Sequence, residues 1–82
     1  MTVYDNIWAF PAGKIGEYFI SLGMKSGEDG SFLSEGCSIL VYGMNERPLG
    51  NLMIPQTRVI FRGVDAEHVF NAFKLHFLSG GA

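Results

Sequence analysis

Cys37 is the only cysteine in a chain of 82 residues, so no disulfide can staple this domain from within. No Cys/His cluster has zinc-finger spacing, which removes a structural zinc as the staple. A domain of this length buries only about 60% of the surface its unfolded chain exposes. Oligomerisation is the remaining means by which small domains gain stability. The residue content agrees: 48% of the chain is apolar, with one Trp, three Tyr and seven Phe. That is a large apolar payload for so small an interior. The chain is therefore expected to form one domain over residues 1–82 and to bury part of this surface in a homodimer.

The formal net charge is −2 and no run of like charge occurs. The basic footprint of a nucleic-acid binder is absent. The opening residues lack the basic region and apolar stretch of a signal peptide. No apolar run reaches the roughly 20 residues that span a bilayer. A lone thiol suits a reducing compartment, so the expected setting is the cytoplasm, with neither nucleic acid nor membrane as partner.

Residues 2–10 are rich in β-branched and aromatic types and read as a strand ended by Pro11. Between Pro11 and Gly23, Ile15, Tyr18, Phe19 and Leu22 fall on one helical face. Pro suits a first helical turn and Gly suits the position just past the end. Gly13 and Gly16 would each cost about 1 kcal/mol inside a helix. Tyr18, Ile20, Leu22 and Met24 also alternate as a strand would. Helix is the preferred reading for 12–22, and strand stays open beside it. Residues 25–31 read as a turn around Asp29-Gly30. Residues 32–44 read as two short strands around Glu35-Gly36, the second a well-covered central one. Residues 45–50 read as a loop. Residues 51–64 read as another strand whose early part Pro55 breaks. Thr57, Val59 and Phe61 then alternate with Arg58, Ile60 and Arg62, one face buried and the other wet or in contact with a partner.

Residues 65–78 are the clearest helix. Asp65 suits the N-cap. Ala66, Val69, Phe70, Phe73 and Phe77 form one apolar stripe, and Glu67, Asn71 and Lys74 lie opposite it. Gly80 is a stop, and residues 79–82 read as a frayed tail. The expected fold is α+β: a mixed or antiparallel sheet of four to five strands, a helix after the first strand, and an amphipathic C-terminal helix.

EYFISLGMKS, then SFLSEGCSILVYG, then VIFRGVDAEHVFNAF resemble in layout the βαβββ module of the vicinal oxygen chelate superfamily, which includes glyoxalases, bleomycin-resistance proteins and extradiol dioxygenases. The resemblance covers most of the chain. It rests on Tyr18-Phe19 and Leu22-Gly23 at a helix end, on Gly36 in a hairpin, and on a strand that leads into an Asp-started helix, from Val59 to Asp65. It implies a cupped sheet that binds a small, partly apolar molecule, with two modules closing the cleft. This chain has length for one module, so a second chain would complete it. The metal-dependent lyase or isomerase chemistry of that superfamily takes ligands from His, Glu or Gln on strands. The first strand here offers only Tyr4, Asp5 and Asn6, and both histidines fall on the last helix.

Few residues point to chemistry. His68 and His76 differ in direction by about 80° on one helix, which makes them poor joint metal ligands. His68 reads as solvated. His76 reads as the edge of a core or interface, where it could form a pH-sensitive contact. Cys37 has no sequence partner that would activate it and reads as a small buried hydrophobe. Gly13 and Gly16 lack the third glycine of a dinucleotide fingerprint and read as close packing or a loose helix start.

Arg58 and Arg62 share a strand face. Beside Tyr42 or Trp8 they could clasp a carboxylate or phosphate bidentately, or they could pair with Glu17, Glu35 or Glu46 as ordinary surface charges. Leu75 and Leu78 sit on the otherwise polar side of the last helix and point either to a covered second surface or to plain exposure.

The leading expectation is a non-catalytic homodimer with an aromatic-lined cleft for a small organic molecule. Its lining would be Trp8, Tyr42, Arg58 and Arg62, and its interface would use Phe70, Phe73, Leu75, His76, Phe77 and Leu78. No catalytic residue, metal ligand or cofactor is assigned. The alternatives are a protein-interaction or inhibitor protein, and a metal-dependent lyase or isomerase.

Overall fold

A computed structural model describes residues 2–78, which leaves the expected tail at 79–82 outside the described residues. Over the described residues the chain is α+β, with five antiparallel strands and two helices. β1 spans Thr2–Trp8 and α1 spans Ala12–Ser21. Next come β2 (Lys25–Ser26), β3 (Ser31–Ser34), β4 (Cys37–Leu49) and β5 (Leu52–Gly63), and α2 (Ala66–Leu78) closes the order. The strands form one sheet in the order β1-β5-β4-β3-β2.

Segment 12–22 is settled as helix, and its two ends explain why. The Pro11 carbonyl accepts hydrogen bonds from the Lys14 and Ile15 amides at 3.1 and 3.2 Å. At the other end Gly23 adopts φ +85°. Its amide donates to the Ile20 carbonyl at 2.9 Å, and the Met24 amide donates to the Phe19 carbonyl at 3.3 Å. This paired return is the Schellman motif, and it needs a residue that tolerates positive φ. Gly16 serves close packing: a Cβ there would stand 3.1 Å from the Phe32 ring.

Both helices pack on one face of the sheet. The core joins Ile15 and Phe19 of α1 to Phe70, Phe73 and Phe77 of α2, over Ile39, Val41, Val59 and Phe61 of the central strands. Phe73 lies at the centre, its ring centroid 4.6 Å from Phe77, 4.9 Å from Trp8 and 5.3 Å from Phe61. Thr57 is the one buried polar residue among those described, and its hydroxyl donates to the Phe10 carbonyl at 2.6 Å.

Two expectations change. Residues 45–49 are not loop but the continuation of β4, and Pro55 does not interrupt β5. Beyond Val41 and Thr57 no other strand flanks this hairpin. Pro48 and Pro55 therefore remove no hydrogen bond that a neighbouring strand would have supplied. Asn45 and Glu46 together oppose Pro55, a one-residue bulge between the Met44–Gln56 and Arg47–Ile54 pairs. The hairpin closes through Gly50-Asn51, with Gly50 at φ +60°. Residues 44–56 thus form a two-stranded arm that extends past the helix-covered sheet. The expected turn at 25–31 also contains the two-residue strand β2.

Candidate functional site

The helices leave the other face of the sheet bare, and strand register determines what lies on it. Directly opposed residues in an antiparallel sheet share a face. One row runs Val3, Arg62, Ser38, Leu33, Lys25 from β1 to β2. The next runs Asp5, Ile60, Leu40, Ser31, and a third runs Ile7, Arg58, Tyr42. Val3, Ile7, Leu33 and Tyr42 stay about half exposed here. Ile60 is only 6% exposed, although no helix covers it. It is flanked along its strand by Arg58 and Arg62 and across the sheet by Asp5 and Leu40, and the stems of long charged side chains can shield an apolar neighbour.

Arg58 forms a fork on Asp5. Its Nε donates to Oδ1 at 2.8 Å and its Nη2 to Oδ2 at 2.5 Å. The hydrogen bond from Arg58 holds the Asp5 carboxyl below the usual carboxylate range, and the same bond raises Arg58. Arg62 adds a more distant positive charge to Asp5. Arg62 also borders a shallow depression of about 490 Å³ with Leu33, Ser38, Cys37 and Val64. Register places Lys25, Arg58 and Arg62 on this face against the single carboxylate of Asp5. Glu17, Glu28, Asp29, Glu35, Asp65 and Glu67 lie on the helices and turns, and Glu46 lies at the bulge in the outer part of β4. The sheet face is locally cationic in a chain whose net charge is −2.

Tyr42, Arg58 and Arg62 thus share one face, with Tyr42 directly opposite Arg58 and Arg62 farther along β5, whereas Trp8 is not on that face. Trp8 opposes Thr57, so its ring lies on the helix side, edge-on to Phe73 and Phe70. Its indole Nε1 is buried with no hydrogen-bond partner among the described residues. The residues assigned to an interface also divide. Phe70, Phe73 and Phe77 are buried in the chain's own core. Their ring faces are occupied by Tyr4, Trp8, Phe61 and Tyr18, so they offer no surface to a second chain. His76 stacks on Tyr18 with centroids 4.5 Å apart, a contact between the two helices. Leu75 and Leu78 remain outward, 71% and 67% exposed.

Sequence reasoning missed Asp5 as the partner of Arg58, since Glu17, Glu35 and Glu46 were the acids weighed. The available signal was that Asp5 interrupts the apolar positions Val3 and Ile7 on a strand. Cys37 is buried and free. Burial, and then the Asp65 charge, push its thiol upward, which disfavours the nucleophilic thiolate. Among the described residues no group of three His, Cys, Asp or Glu side chains is placed to hold a metal ion. Among the described residues no helix is long and apolar enough to cross a membrane. No protein-family model matches the chain, and no curated protein matches its sequence.

Proposed function

We propose that the chain is a non-catalytic binding module that acts as a homodimer and takes a small organic anion with an apolar body on the bare face of its sheet. The observation that carries this reading is that Tyr42, Arg58 and Arg62 lie on one sheet face with Val3, Ile7 and Ile60. A guanidinium binds carboxylate or phosphate through paired hydrogen bonds. Arg58 is already oriented by Asp5, which leaves Arg62 to meet an incoming charge. The half-exposed aliphatic side chains and Tyr42 would take the apolar body. The cupped sheet implied by the resemblance to vicinal oxygen chelate modules would use the same face.

The test is a titration followed by amide and side-chain NMR, with aryl and alkyl carboxylates and phosphates as probes. Shifts gathered at Val3, Tyr42, Ile60 and Arg62 support the reading. Arg62→Ala should then weaken binding by about tenfold, the order of one lost charged hydrogen bond. The Trp8 indole signal should stay in place, because it faces the opposite layer. The absence of any shift on this face across the probe set would rule the reading out.

A second reading, docking of another protein, is favoured by one feature. The tip of the β4–β5 arm exposes Leu49, Leu52 and Met53 beyond any contact with the core.

A further inference from the structure

The two edges of the sheet are unlike. β2 ends the sheet on one side with only two residues, and one of them is Lys25. Short edge strands and lysines are the means by which proteins keep their sheet edges from pairing with other chains. β1 ends the sheet on the other side with seven residues, TVYDNIW, which contain no proline and no lysine. Its register against β5 runs unbroken from Thr2 to Trp8, so no bulge turns the edge away. Its single charge, Asp5, is neutralised by the Arg58 fork. The edge therefore presents backbone donors and acceptors along its length with the paired charge of Asp5 as its one guard among the described residues.

The flank of α2 beside this edge continues the same surface. Tyr18 of α1 meets Phe73, His76 and Phe77, which identifies the side of α2 that faces the other helix. Lys74 lies away from that side and borders a depression with Asn6, Ile7 and Trp8 of β1. It also borders an apolar depression of about 540 Å³ with Asn71, Leu75 and Leu78. Edge strand and helix flank thus adjoin through Lys74.

We propose that two copies of this chain pair antiparallel through β1, with the Lys74–Leu78 flanks of their α2 helices meeting above the joined strands. The inference rests on the reading of the chain as a homodimer and names the surface that forms it. An open strand edge can exchange its water for the ladder of another extended strand, and a two-fold axis lets the same edge serve both copies. Such pairing consumes the β1 edge of each chain. Two five-stranded sheets become one sheet of ten, whose outer edges are both the short, Lys25-bearing β2. The joined β1 edges are thereby closed to a further copy, and the open strands of the β4–β5 arm carry Pro48, Pro55 and a bulge, which discourage pairing there. The pairing also sets the two cationic faces side by side on one twisted surface, so a cleft is shared without burying Tyr42, Arg58 or Arg62.

The test uses the full chain, with light scattering coupled to size exclusion and amide hydrogen exchange run on the same samples. The expected species has twice the 9.0 kDa chain mass. Alternate β1 amides, those that point away from β5, should exchange slowly and lose that protection on dilution. Leu78→Glu should raise the dimer dissociation constant at least roughly tenfold with unchanged circular dichroism, because Leu78 is outside the core. A dimer whose outward β1 amides exchange as fast at high concentration as at low overturns this inference and leaves the homodimer reading standing. A strict monomer overturns both. An extended foreign peptide that protects β1 in a monomeric chain assigns the edge to another partner and likewise overturns the proposal.

Discussion

Phe73 is the residue on which most of the core converges. It is fully buried, with the rings of Trp8, Tyr18, Phe19, Phe61 and Phe77 around it. Phe73→Ala should cost about 3–5 kcal/mol, the range for a buried aromatic truncated to a cavity. In a domain this small that loss should leave a substantial unfolded fraction, read by urea titration; a cost below about 1 kcal/mol would mean the core collapses around the gap. Glycines separate the local demands of the backbone from those of space. Gly63 has φ +125°, and a Cβ there would collide with the Gly36 carbonyl. A Cβ at Gly13, within α1, would meet nothing within 4 Å. Gly63→Ala should therefore destabilise, while Gly13→Ala should stabilise by about 0.4–1 kcal/mol. Equal signs for the two in the same melting assay would contradict this account.

The Asp5–Arg58 pair makes a pH prediction at the same scale. The folded carboxyl titrates below the ordinary 3.8, chiefly because Arg58 donates to it. Its contribution is present above 3.8 and is lost as pH falls through the lower folded value. The stability difference between the wild type and Asp5→Asn should then be larger at neutral pH than in acid. A difference that persists unchanged in strong acid would show that the carboxylate charge is not what the fold uses.

Among the elements, α2 and the β4–β5 arm are opposites. α2 is held through Ala66, Phe70, Phe73 and Phe77. The arm has no buried residue between Met44 and Gln56, and a two-stranded ribbon by itself is marginally stable in water. Arm amides should exchange much faster than those of β5 from Thr57 onward. Replacing residues 45–55 by Asn-Gly, the residues preferred in a two-residue hairpin, should move the melting temperature by no more than about 8 °C, the shift that goes with roughly 1 kcal/mol. A collapse of the fold on this deletion would place structural weight on the arm that its burial does not indicate.

For the whole molecule, the asymmetry between the two sheet faces governs behaviour. One face is sealed by both helices, while the other mixes aliphatic side chains with cations and is covered by neither helix. If the folded state is dimeric, its unfolding midpoint should rise with chain concentration, because mass action favours the associated form. A midpoint constant over a hundredfold range of concentration would identify a monomer.

Element order and type were legible in the sequence because the signals are local. The phenylalanine stripe of α2 repeats with the helical period, Pro11 and Gly23 bracket α1, and Thr57 to Arg62 alternates as a strand does. The aliphatic and charged face of β5 was visible as well. Which faces coincide was not, because alternation assigns two faces to every strand without saying which lie together. That is set by register between strands far apart in sequence. The pairing of Trp8 with Thr57 and of Ile7 with Arg58 sends the tryptophan to the core and joins the arginines to Val3, Asp5 and Ile7. Pro55 misled for the same reason, since a proline breaks a strand only where a neighbour needs its missing amide hydrogen. Local periodicity determined the parts, and non-local pairing alone decided which surface the protein leaves bare.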